Sequence, residues 1–327
     1  MNTTMMPDQS TARALLRQIG MDVPEKRITP VFGGTINTTF RIDNGDDGQL
    51  ILRIAPSDAE VEAGPSWMTS HGLQREQVTI GLLSNIDHLL PRTVGFDESR
   101  EYIDRDWVLQ TSVHGQQWQE ARKALTAAEE QDLWRELGEV TRQIHAVTGE
   151  EFGPPLTGLG CATWSDLVRW DVAGFSVDAH RYGLEQEPFE QLQGLVDDAA
   201  PVLNEITEPR LVHSDLNERH IFIAPSSDGR PHITGLIDFE FARFADPYSE
   251  TIFIDEALLP SHDGRDVALC EGYKCEKPTH EDIVRRHIYS LVAMGWTVMD
   301  LVRRDQPKQV PALLERMQIM TREAREL

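Results

Sequence analysis

The sequence predicts an α+β fold with two lobes, a β-rich N-terminal lobe over residues 1–113 and a mostly helical C-terminal lobe over residues 114–327. Three observations support this prediction. The 327 residues exceed the usual size of a single hydrophobic core. Short strand patterns separated by turn residues dominate the first part of the chain. Helical spacing of apolar residues dominates after about residue 124. We expect a ligand in the cleft between the lobes.

The predicted N-terminal lobe contains one small antiparallel sheet. Its first three strands are separated by a glycine turn at residues 32–34 and by a hairpin turn at residues 44–48. The other elements predicted in this lobe are a helix over residues 9–20, the third strand over residues 50–54, a helix over residues 73–90, and strands near residues 92–96 and 107–113.

The predicted C-terminal lobe is helical, with one strand pair embedded in it. Thr126 and Glu129 have the spacing of a capping box, which predicts a helix start. The predicted elements are helices over residues 127–147, 163–183 and 187–206, a strand pair at residues 211–224 and 232–238, and a helical region over residues 248–325.

The chain is strongly acidic, with 31 basic and 54 acidic residues and a net charge of −23 at pH 7. Nucleic acid is therefore not expected as a partner, because phosphate contacts need a basic face. Two explanations of the acidity stay open. One is a solvated surface that favours solubility, and the other is a cleft whose carboxylates attract a polycationic substrate.

Targeting and membrane signals are weak in this sequence. No apolar run approaches the roughly 18 residues that span a bilayer, and residues 1–10 lack the apolar centre of a secretory signal. We therefore expect a cytoplasmic protein without a membrane partner. Cys161, Cys270 and Cys275 are odd in number and have no companion pair at zinc-site spacing, so we expect free thiols.

The segment from His213 to Asp238 carries the clearest chemical pattern. An apolar strand ends at Val212, a polar loop follows, and a strand pair returns the chain to Asp238. Asp215 and Asp238, 23 residues apart, are therefore predicted to lie close together. Two such carboxylates suit phosphoryl transfer, in which one orients or deprotonates the attacking hydroxyl and the other holds a metal ion.

This segment resembles the catalytic and metal loops of the aminoglycoside phosphotransferase and choline-kinase-like superfamily, which has a protein-kinase-like two-lobe fold. His213, Asp215 and residues 237–240 (IDFE) match the family pattern in order and spacing, and residues 245–247 (ADP) are similar to the Gly-Asp-Pro that follows it. The resemblance implies that Asp215 is the catalytic base and Asp238 the principal Mg²⁺ ligand. It also implies that His213 supports the loop and that Asp246 braces a turn.

One position departs from the family pattern, because His220 stands where the family has asparagine. Neutral imidazole is a poor ligand for Mg²⁺, which prefers oxygen. Several alternatives stay open. His220, Asn217 or Glu218 completes the metal site, or one metal contact passes through water. We expect an active enzyme because both aspartates are retained, with a nucleotide-binding pseudokinase as the alternative.

The N-terminal lobe carries the family's nucleotide-binding residues in the same order. Gly33, Gly34 and Thr35 lie in a turn whose backbone N–H groups can approach phosphates closely. Arg53 occupies the position of the family's phosphate-contacting lysine, where arginine keeps the charge with a different geometry. Glu76 is placed like the helix glutamate that pairs with this lysine, so we expect an ion pair between Glu76 and Arg53.

Residues 107–115 resemble the linker between the lobes of these kinases. Backbone groups from Gln110 to Ser112 are expected to hydrogen-bond the purine of ATP, with GTP as the alternative nucleotide. Trp164, Trp170 and Phe175 lie on helical segments of the substrate side. We expect them to pack in the core, with an aromatic wall for the substrate as the alternative.

Together these residues predict Mg²⁺- and ATP-dependent transfer of the γ-phosphate to a hydroxyl group of a small molecule. The leading acceptor is an aminoglycoside or related amino-sugar antibiotic, since acidic clefts suit polycations. A choline-like amine, homoserine, a sugar or a macrolide would use the same machinery. A protein kinase is not expected, because residues 245–247 follow Asp238 within nine residues and leave no room for a peptide-docking segment.

Overall fold

Five strands near the N-terminus form one antiparallel sheet in a computed structural model, which describes residues 6–45, 48–258 and 265–327. The strand order is β1-β2-β3-β5-β4, and the predicted strands of this lobe are confirmed. The elements are α1 (Gln9–Gln18), β1 (Ile28–Val31), β2 (Thr38–Asp43), β3 (Gln49–Ile54), α2 (Asp58–Ala63), α3 (Gly72–Leu82), β4 (Thr93–Asp97) and β5 (Trp107–Thr111). Asp46 and Asp47 of the predicted hairpin turn lie outside the described residues, as do residues 1–5 and residues 259–264.

Strand β3 shows how the sequence positions a functional side chain. Leu50, Leu52 and Ile54 are buried in a core that also contains the apolar face of α1. Because successive side chains of a strand point to opposite faces, Ile51 and Arg53 face the other side of the sheet. Both residues line the large cavity of the protein. The alternation of apolar residues in β3 therefore determines that Arg53 faces this cavity.

From Gln116 onward the described chain is mostly helical, with short strands between the helices. The predicted strand pair is confirmed as the hairpin of β8 and β9, which pairs with β6, while β10 pairs with β7. The elements are β6 (Gln116–Gln117), α4 (Trp118–Ala121), α5 (Ala127–Ile144), α6 (Trp164–Arg181), α7 (Glu187–Asp198), α8 (Ala200–Leu203), β7 (Arg210–Val212), β8 (Ile221–Pro225), β9 (Pro231–Leu236), β10 (Arg243–Ala245), α9 (Thr251–Leu258), α10 (Arg265–Tyr273), α11 (His280–Arg303) and α12 (Val310–Glu326).

Two apolar clusters hold the helical part together. One lies among α6, α7, α11 and α12, and the other joins α5 and α10 to the β8–β9 hairpin. The predicted capping box of α5 is confirmed, because the Thr126 hydroxyl accepts from the N–H of Glu129 while the Glu129 carboxylate accepts from the N–H of Thr126. Among the described residues, no helix combines the length and apolar character that crossing a membrane requires.

The prediction of three free thiols was wrong for two of the cysteines. Cys270 and Cys275 form a disulfide, and Cys161 is free. The backbone reverses direction after α10, where Lys274 has a φ of 67° and the N–H groups of Lys274 and Cys275 both donate to the carbonyl of Cys270. This turn brings the two cysteine Cα atoms to 4.9 Å, a separation that suits a disulfide.

Gly138 lies where α5 touches α10, and this close approach leads to a stability prediction. A Cβ atom at position 138 would overlap the carbonyl oxygen of Leu269 and lie 2.6 Å from the backbone nitrogen of Tyr273. Because the backbone of α10 cannot move aside without disturbing the core, we expect Gly138→Ala to lower the free energy of unfolding by about 1–3 kcal/mol. Urea denaturation measures this change.

Gly81 provides the matched control. It lies near the end of α3, where a Cβ atom would meet no atom within 4 Å. Gly81→Ala should leave the free energy of unfolding unchanged or raise it by at most about 1 kcal/mol, because alanine is the better helix former. Equal effects of the two substitutions would contradict the proposed overlap at Gly138.

Candidate active site

A cavity of about 1200 Å³ opens between the five-stranded sheet and the helical part. It is the place where the sequence predicts a ligand. Of the predicted site residues, Glu76 and Asn217 do not line it. Those that line it are Gly33, Gly34, Thr35, Arg53, Gln110, Ser112, Asp215, His220 and Asp238.

In the loop that follows β7, the buried side chain of His213 holds the backbone of Asp215 in place. The N–H of Asp215 donates to Nδ1 of His213 at 3.3 Å, so the imidazole proton lies on Nε2, which donates to the carbonyl of Ile237 at 3.0 Å. The N–H of His213 donates to Oε2 of Glu250 at 2.6 Å. His213 is fully buried. Its position agrees with the supporting role that the sequence predicts.

The β8–β9 hairpin brings Asp238 beside this loop. The N–H of Ile237 donates to the carbonyl of His220 at 3.0 Å, which ties the end of the hairpin to its beginning. Asp238 itself has a left-handed backbone, with φ of 74° and ψ of 47°. Three potential metal-ligand atoms lie within 4.8 Å of one another, one each from Asp215, His220 and Asp238. The predicted proximity of the two aspartates is therefore confirmed.

His220 and Asn217 contact the aspartates in different ways. Nε2 of His220 lies 3.3 Å from Oδ2 of Asp238, and its Nδ1 lies 2.8 Å from the carbonyl oxygen of Asp215. The side-chain amide nitrogen of Asn217 donates to Oδ1 of Asp215 at 2.9 Å, while the amide oxygen of Asn217 accepts from the N–H of Arg219 at 3.0 Å. Asn217 therefore orients Asp215, and His220 lies within the cluster.

Arg53 joins this cluster to the N-terminal sheet. Its Nη1 lies 2.5 Å from Oε2 of Glu76, so the ion pair predicted from the sequence is confirmed. Its Nη2 lies 2.5 Å from Oδ1 of Asp238 and 3.6 Å from Oε2 of Glu240. The side-chain amide of Gln110 donates to Oε1 of Glu76 at 3.0 Å. The side chain of Gln110 therefore holds Glu76 in place and does not point to a ligand.

Burial and neighbouring charges move the pKa values of three acidic groups apart. Burial is the largest effect on Asp215 and raises its pKa, against the opposing influence of His220. Burial also acts on Asp238, but the positive charge of Arg53 outweighs it and lowers the pKa. Burial and the charge of Asp238 raise the pKa of Glu240 to about 8. At neutral pH Asp238 is therefore ionised, whereas Glu240 is protonated.

The glycine turn between β1 and β2 forms one edge of the cavity. Gly33 has a φ of 112°, a conformation that favours glycine. Two contacts from distant parts of the chain hold this turn. Nη1 of Arg303 donates to the carbonyl of Thr35 at 2.8 Å, and the side-chain amide of Asn37 donates to Oε2 of Glu240 at 2.7 Å. Sequence reasoning missed both contacts, since no spacing pattern connects residues so far apart.

The linker segment after β5 has part of its backbone engaged in the sheet. The N–H of Ser112 donates to the carbonyl of Gln49 at 3.1 Å, and the N–H of Thr111 donates to the carbonyl of Arg92 at 2.9 Å. A purine contact at this segment would therefore use other backbone atoms. The segment lines the cavity as the sequence predicts.

The aromatic residues predicted from the sequence divide between core and cavity. Trp164 and Phe175 are buried, as expected for core packing, although Trp164 also lines the cavity. Trp170 is 61% exposed and lines the cavity too. Further aromatic residues of the cavity were not predicted, among them Trp67, Phe241 and Trp296. Arg75 and Arg243 also line the cavity and were missed, because an isolated arginine carries no local sequence signal.

Glu250 braces the loop that carries Asp215, and its environment leads to a prediction about pH. Oε2 of Glu250 lies 3.6 Å from Nε2 of His145, and Nδ1 of His145 lies 2.9 Å from the hydroxyl of Tyr273. Burial raises the pKa of Glu250, but the neighbouring imidazoles of His145 and His213 outweigh it, so the pKa lies below its ordinary value of 4.5. The ionised group therefore stabilises the fold above about pH 4.5.

We expect Glu250→Gln to lower the free energy of unfolding by about 1–3 kcal/mol at neutral pH. Because a depressed carboxyl pKa contributes stability that is lost as the pH falls, the difference between wild type and variant should shrink below pH 4.5. Urea denaturation over a pH series measures this. Glu150→Gln, at an exposed position, is the control. A difference that stays constant down to low pH would contradict the lowered pKa.

The fold and this cluster define a kinase-like phosphotransferase. The family described as "Phosphotransferase enzyme family" matches residues 27–254, and the chain belongs to this family. The predicted protein-kinase-like two-lobe fold is confirmed by similar solved structures. A search of curated protein sequences found no significant match.

Two solved structures illustrate the likeness. A thermostable mutant of aminoglycoside phosphotransferase APH(4)-Ia, in a ternary complex with AMP-PNP and hygromycin B, is 18% identical, with 96% of this chain and 98% of that chain covered and a TM-score of 0.67. The GDP and kanamycin complex of APH(2″)-IIIa is 17% identical, with 96% of this chain and 98% of that chain covered and a TM-score of 0.68. At these identities the likeness shows the fold.

Proposed function

We propose that this protein transfers the γ-phosphate of ATP to a hydroxyl group of a small molecule in a Mg²⁺-dependent reaction. The observation that carries the proposal is the cluster of Asp215, His220 and Asp238, whose ligand atoms lie within 4.8 Å of one another in the large cavity. Arg53 links this cluster to Glu76 in the sheet. Phosphoryl transfer requires mainly positioning and charge neutralisation, which such a cluster supplies.

The carboxylate oxygens of the cluster fit a magnesium ion. Mg²⁺ usually binds through one or two carboxylates together with substrate phosphates, and the lowered pKa of Asp238 keeps that carboxylate ionised. Asp238 would hold the ion, with His220 beside it. Asn217 is the weaker candidate because its amide oxygen already accepts from Arg219. A bound magnesium ion would neutralise the charge of the nucleotide phosphates.

Asp215 would orient the acceptor hydroxyl and accept its proton. Asn217 holds Oδ1 of Asp215, which leaves Oδ2 for the hydroxyl. Burial raises the pKa of Asp215 above its ordinary value, which makes the carboxylate a better proton acceptor. The position of Asp215 and the direction of this shift both support the role of catalytic base.

The nucleotide would lie along the sheet side of the cavity. We propose that Arg53 contacts its phosphates while Glu76 and Gln110 keep the guanidinium group in place. Backbone N–H groups of Gly33, Gly34 and Thr35 would cover the phosphates. The segment from Gln110 to Ser112 would contact the purine, with GTP as the alternative to ATP.

Two classes of acceptor are supported by different observations. An aminoglycoside or related amino-sugar antibiotic is supported by the net charge of −23 and by similar solved structures that contain hygromycin B or kanamycin. A smaller hydroxyl metabolite, such as homoserine or a sugar, is supported by Arg75 and Arg243 in the cavity wall, since these cations would repel a polycation.

The proposed function is tested by measuring ADP release from Mg²⁺-ATP against a panel of acceptors. The panel contains hygromycin B, kanamycin, choline, homoserine and simple sugars, and mass spectrometry identifies the phosphorylated product. We expect release that depends on the acceptor and stops when EDTA removes the metal. Tight nucleotide binding without turnover on any acceptor would instead favour the nucleotide-binding pseudokinase.

A further inference from the structure

Two arginines of the cavity wall come from different elements. Arg75 comes from α3 and Arg243 from β10, and both line the cavity. Nη1 of Arg243 donates to Oδ2 of Asp171 at 2.6 Å. The side chain of Arg75 has no hydrogen bond or ion pair with any described residue, and its Nε is buried without a partner. Nε of Arg243 is likewise buried without a hydrogen-bond acceptor in the described part of the chain.

Buried N–H donors without acceptors destabilise the protein as long as no ligand is bound in the cavity. Burial, followed by the charge of Arg243, lowers the pKa of Arg75 to about 10, so Arg75 is still charged at neutral pH. A buried donor or charge without an acceptor costs free energy that a bound anion would recover. The Nη groups of Arg75, which have no partner among the described residues, are therefore available to a ligand in the cavity.

The acidic residues of the same wall are already neutralised. Asp171 pairs with Arg243, and Oδ1 and Oδ2 of Asp300 pair with Arg303 at 2.6 Å and Arg304 at 3.1 Å. Oε2 of Glu240 lies 3.6 Å from Nη2 of Arg53 and accepts a hydrogen bond from the side-chain amide of Asn37 at 2.7 Å. Outside the Asp215–Asp238 cluster, the uncompensated charge of this wall is therefore positive.

An aromatic cluster belongs to the lining of the same cavity. The ring centroid of Trp67 lies 5.4 Å from that of Trp296 and 5.7 Å from that of Phe241. All three residues line the cavity. Flat apolar surface of this kind packs against the carbon skeleton of a ligand. The lining of the cavity thus combines positive charge with apolar surface.

We propose that Arg75 and Arg243 form a subsite that binds an oxyanion of the acceptor, a carboxylate or a phosphate group, while the aromatic cluster packs against its carbon skeleton. This inference rests on the proposed phosphotransferase function and deepens it. The acceptor is a hydroxyl compound that carries an anionic group, and the polycationic aminoglycoside is not the preferred substrate.

The test compares acceptors that differ only in the anion. The pairs are L-homoserine with 3-amino-1-propanol, D-gluconate with D-glucitol, and glycerol 3-phosphate with glycerol; the last pair separates phosphate from carboxylate recognition. We expect the wild type to prefer the anionic member of at least one pair and to prefer it over kanamycin. Arg75→Gln should raise KM for that member about 10- to 100-fold, as expected for a lost charge-assisted hydrogen bond.

Two controls separate this effect from a general loss of activity. Arg142→Gln removes the same charge from an exposed position on α5 and should leave every KM unchanged. Arg75→Glu should shift the preference toward 3-amino-1-propanol, because it reverses the charge of the subsite. A wild-type preference for neutral or cationic members would overturn the proposal. An equal rise of KM for both members of a pair, or a rise of KM for ATP alone, would also overturn it.

A binding measurement decides the matter if no member of the panel is phosphorylated. With the nucleotide site saturated by Mg²⁺-AMP-PNP, inorganic phosphate and malonate are used as probes. Each should raise the unfolding midpoint of the wild type and not that of Arg75→Gln, because only a ligand that binds the native state stabilises it. Such a shift without turnover would preserve the subsite and reject the proposed function. No Arg75-dependent shift would reject the subsite.

Discussion

Asp215→Asn is expected to lower kcat by about 10²- to 10⁴-fold, the usual contribution of a positioned general base. Asparagine keeps the size of the side chain but cannot accept the proton of the acceptor hydroxyl. The nucleotide contacts proposed for Arg53 and the glycine turn do not involve Asp215, so the affinity for ATP should stay within about twofold. Steady-state ADP release measures kcat, and a fluorescent nucleotide analogue measures the affinity.

Asp228→Asn is the matched control for this experiment. Asp228 lies in the exposed turn between β8 and β9, on the same hairpin as Asp238 but at its opposite end. Its replacement removes one negative charge without touching the cavity, so kcat should not change. If Asp215→Asn kept kcat within about threefold of the wild type, Asp215 would not be the catalytic base.

Arg53→Met is expected to lower the free energy of unfolding by about 3–5 kcal/mol, because it leaves buried carboxylates without their cation. Arg53 is 11% exposed and lies 2.5 Å from carboxylate oxygens of both Glu76 and Asp238. Removing one partner of a buried pair costs more than the pair itself contributes, since the remaining charge is desolvated and unpaired. Urea denaturation, with Arg142→Met as the surface control, measures the change.

A double variant identifies the physical cause of this effect. Glu76→Met combined with Arg53→Met removes both partners of the ion pair and replaces them by apolar groups. If the loss comes from unpaired charge, the double variant should be more stable than the sum of the two single changes predicts. Strict additivity would mean that the two residues do not stabilise each other. Arg53→Lys should fall between wild type and Arg53→Met, since lysine keeps the charge but cannot contact both carboxylates with a planar fork.

The local patterns of the sequence predicted the elements correctly where a strong periodicity was present. The strands β1, β2 and β3 and the helices α5 and α6 begin and end within a few residues of their predicted positions. The predicted helix over residues 73–90 ends earlier, at Leu82, and a short 3₁₀ helix follows it. Short elements such as α2 and β10 were missed, because a few residues contain too little periodicity to identify. The boundary between the lobes at residues 113 and 114 stays a prediction.

The residues of the candidate site could likewise be predicted where a local sequence pattern marks them, and not where tertiary structure alone brings them together. Asp215, His220 and Asp238 were identifiable because one hairpin joins them, and Arg53 was identifiable because it occupies the position of the family's phosphate-contacting lysine. The disulfide between Cys270 and Cys275 was missed, since sequence spacing alone does not reveal the backbone turn at Lys274.

The sequence by itself therefore determined the two-lobe class, the hairpin that carries the aspartates, and the cavity-facing position of Arg53. These features depend on interactions between residues that are close in the chain or on the period of a single element. Only the tertiary structure decided that Asn37 contacts Glu240, that Arg303 holds the glycine turn at Thr35, and that Arg75 and Arg243 lie on one wall without enough acidic partners. Packing of distant elements creates these contacts, and no local periodicity encodes them.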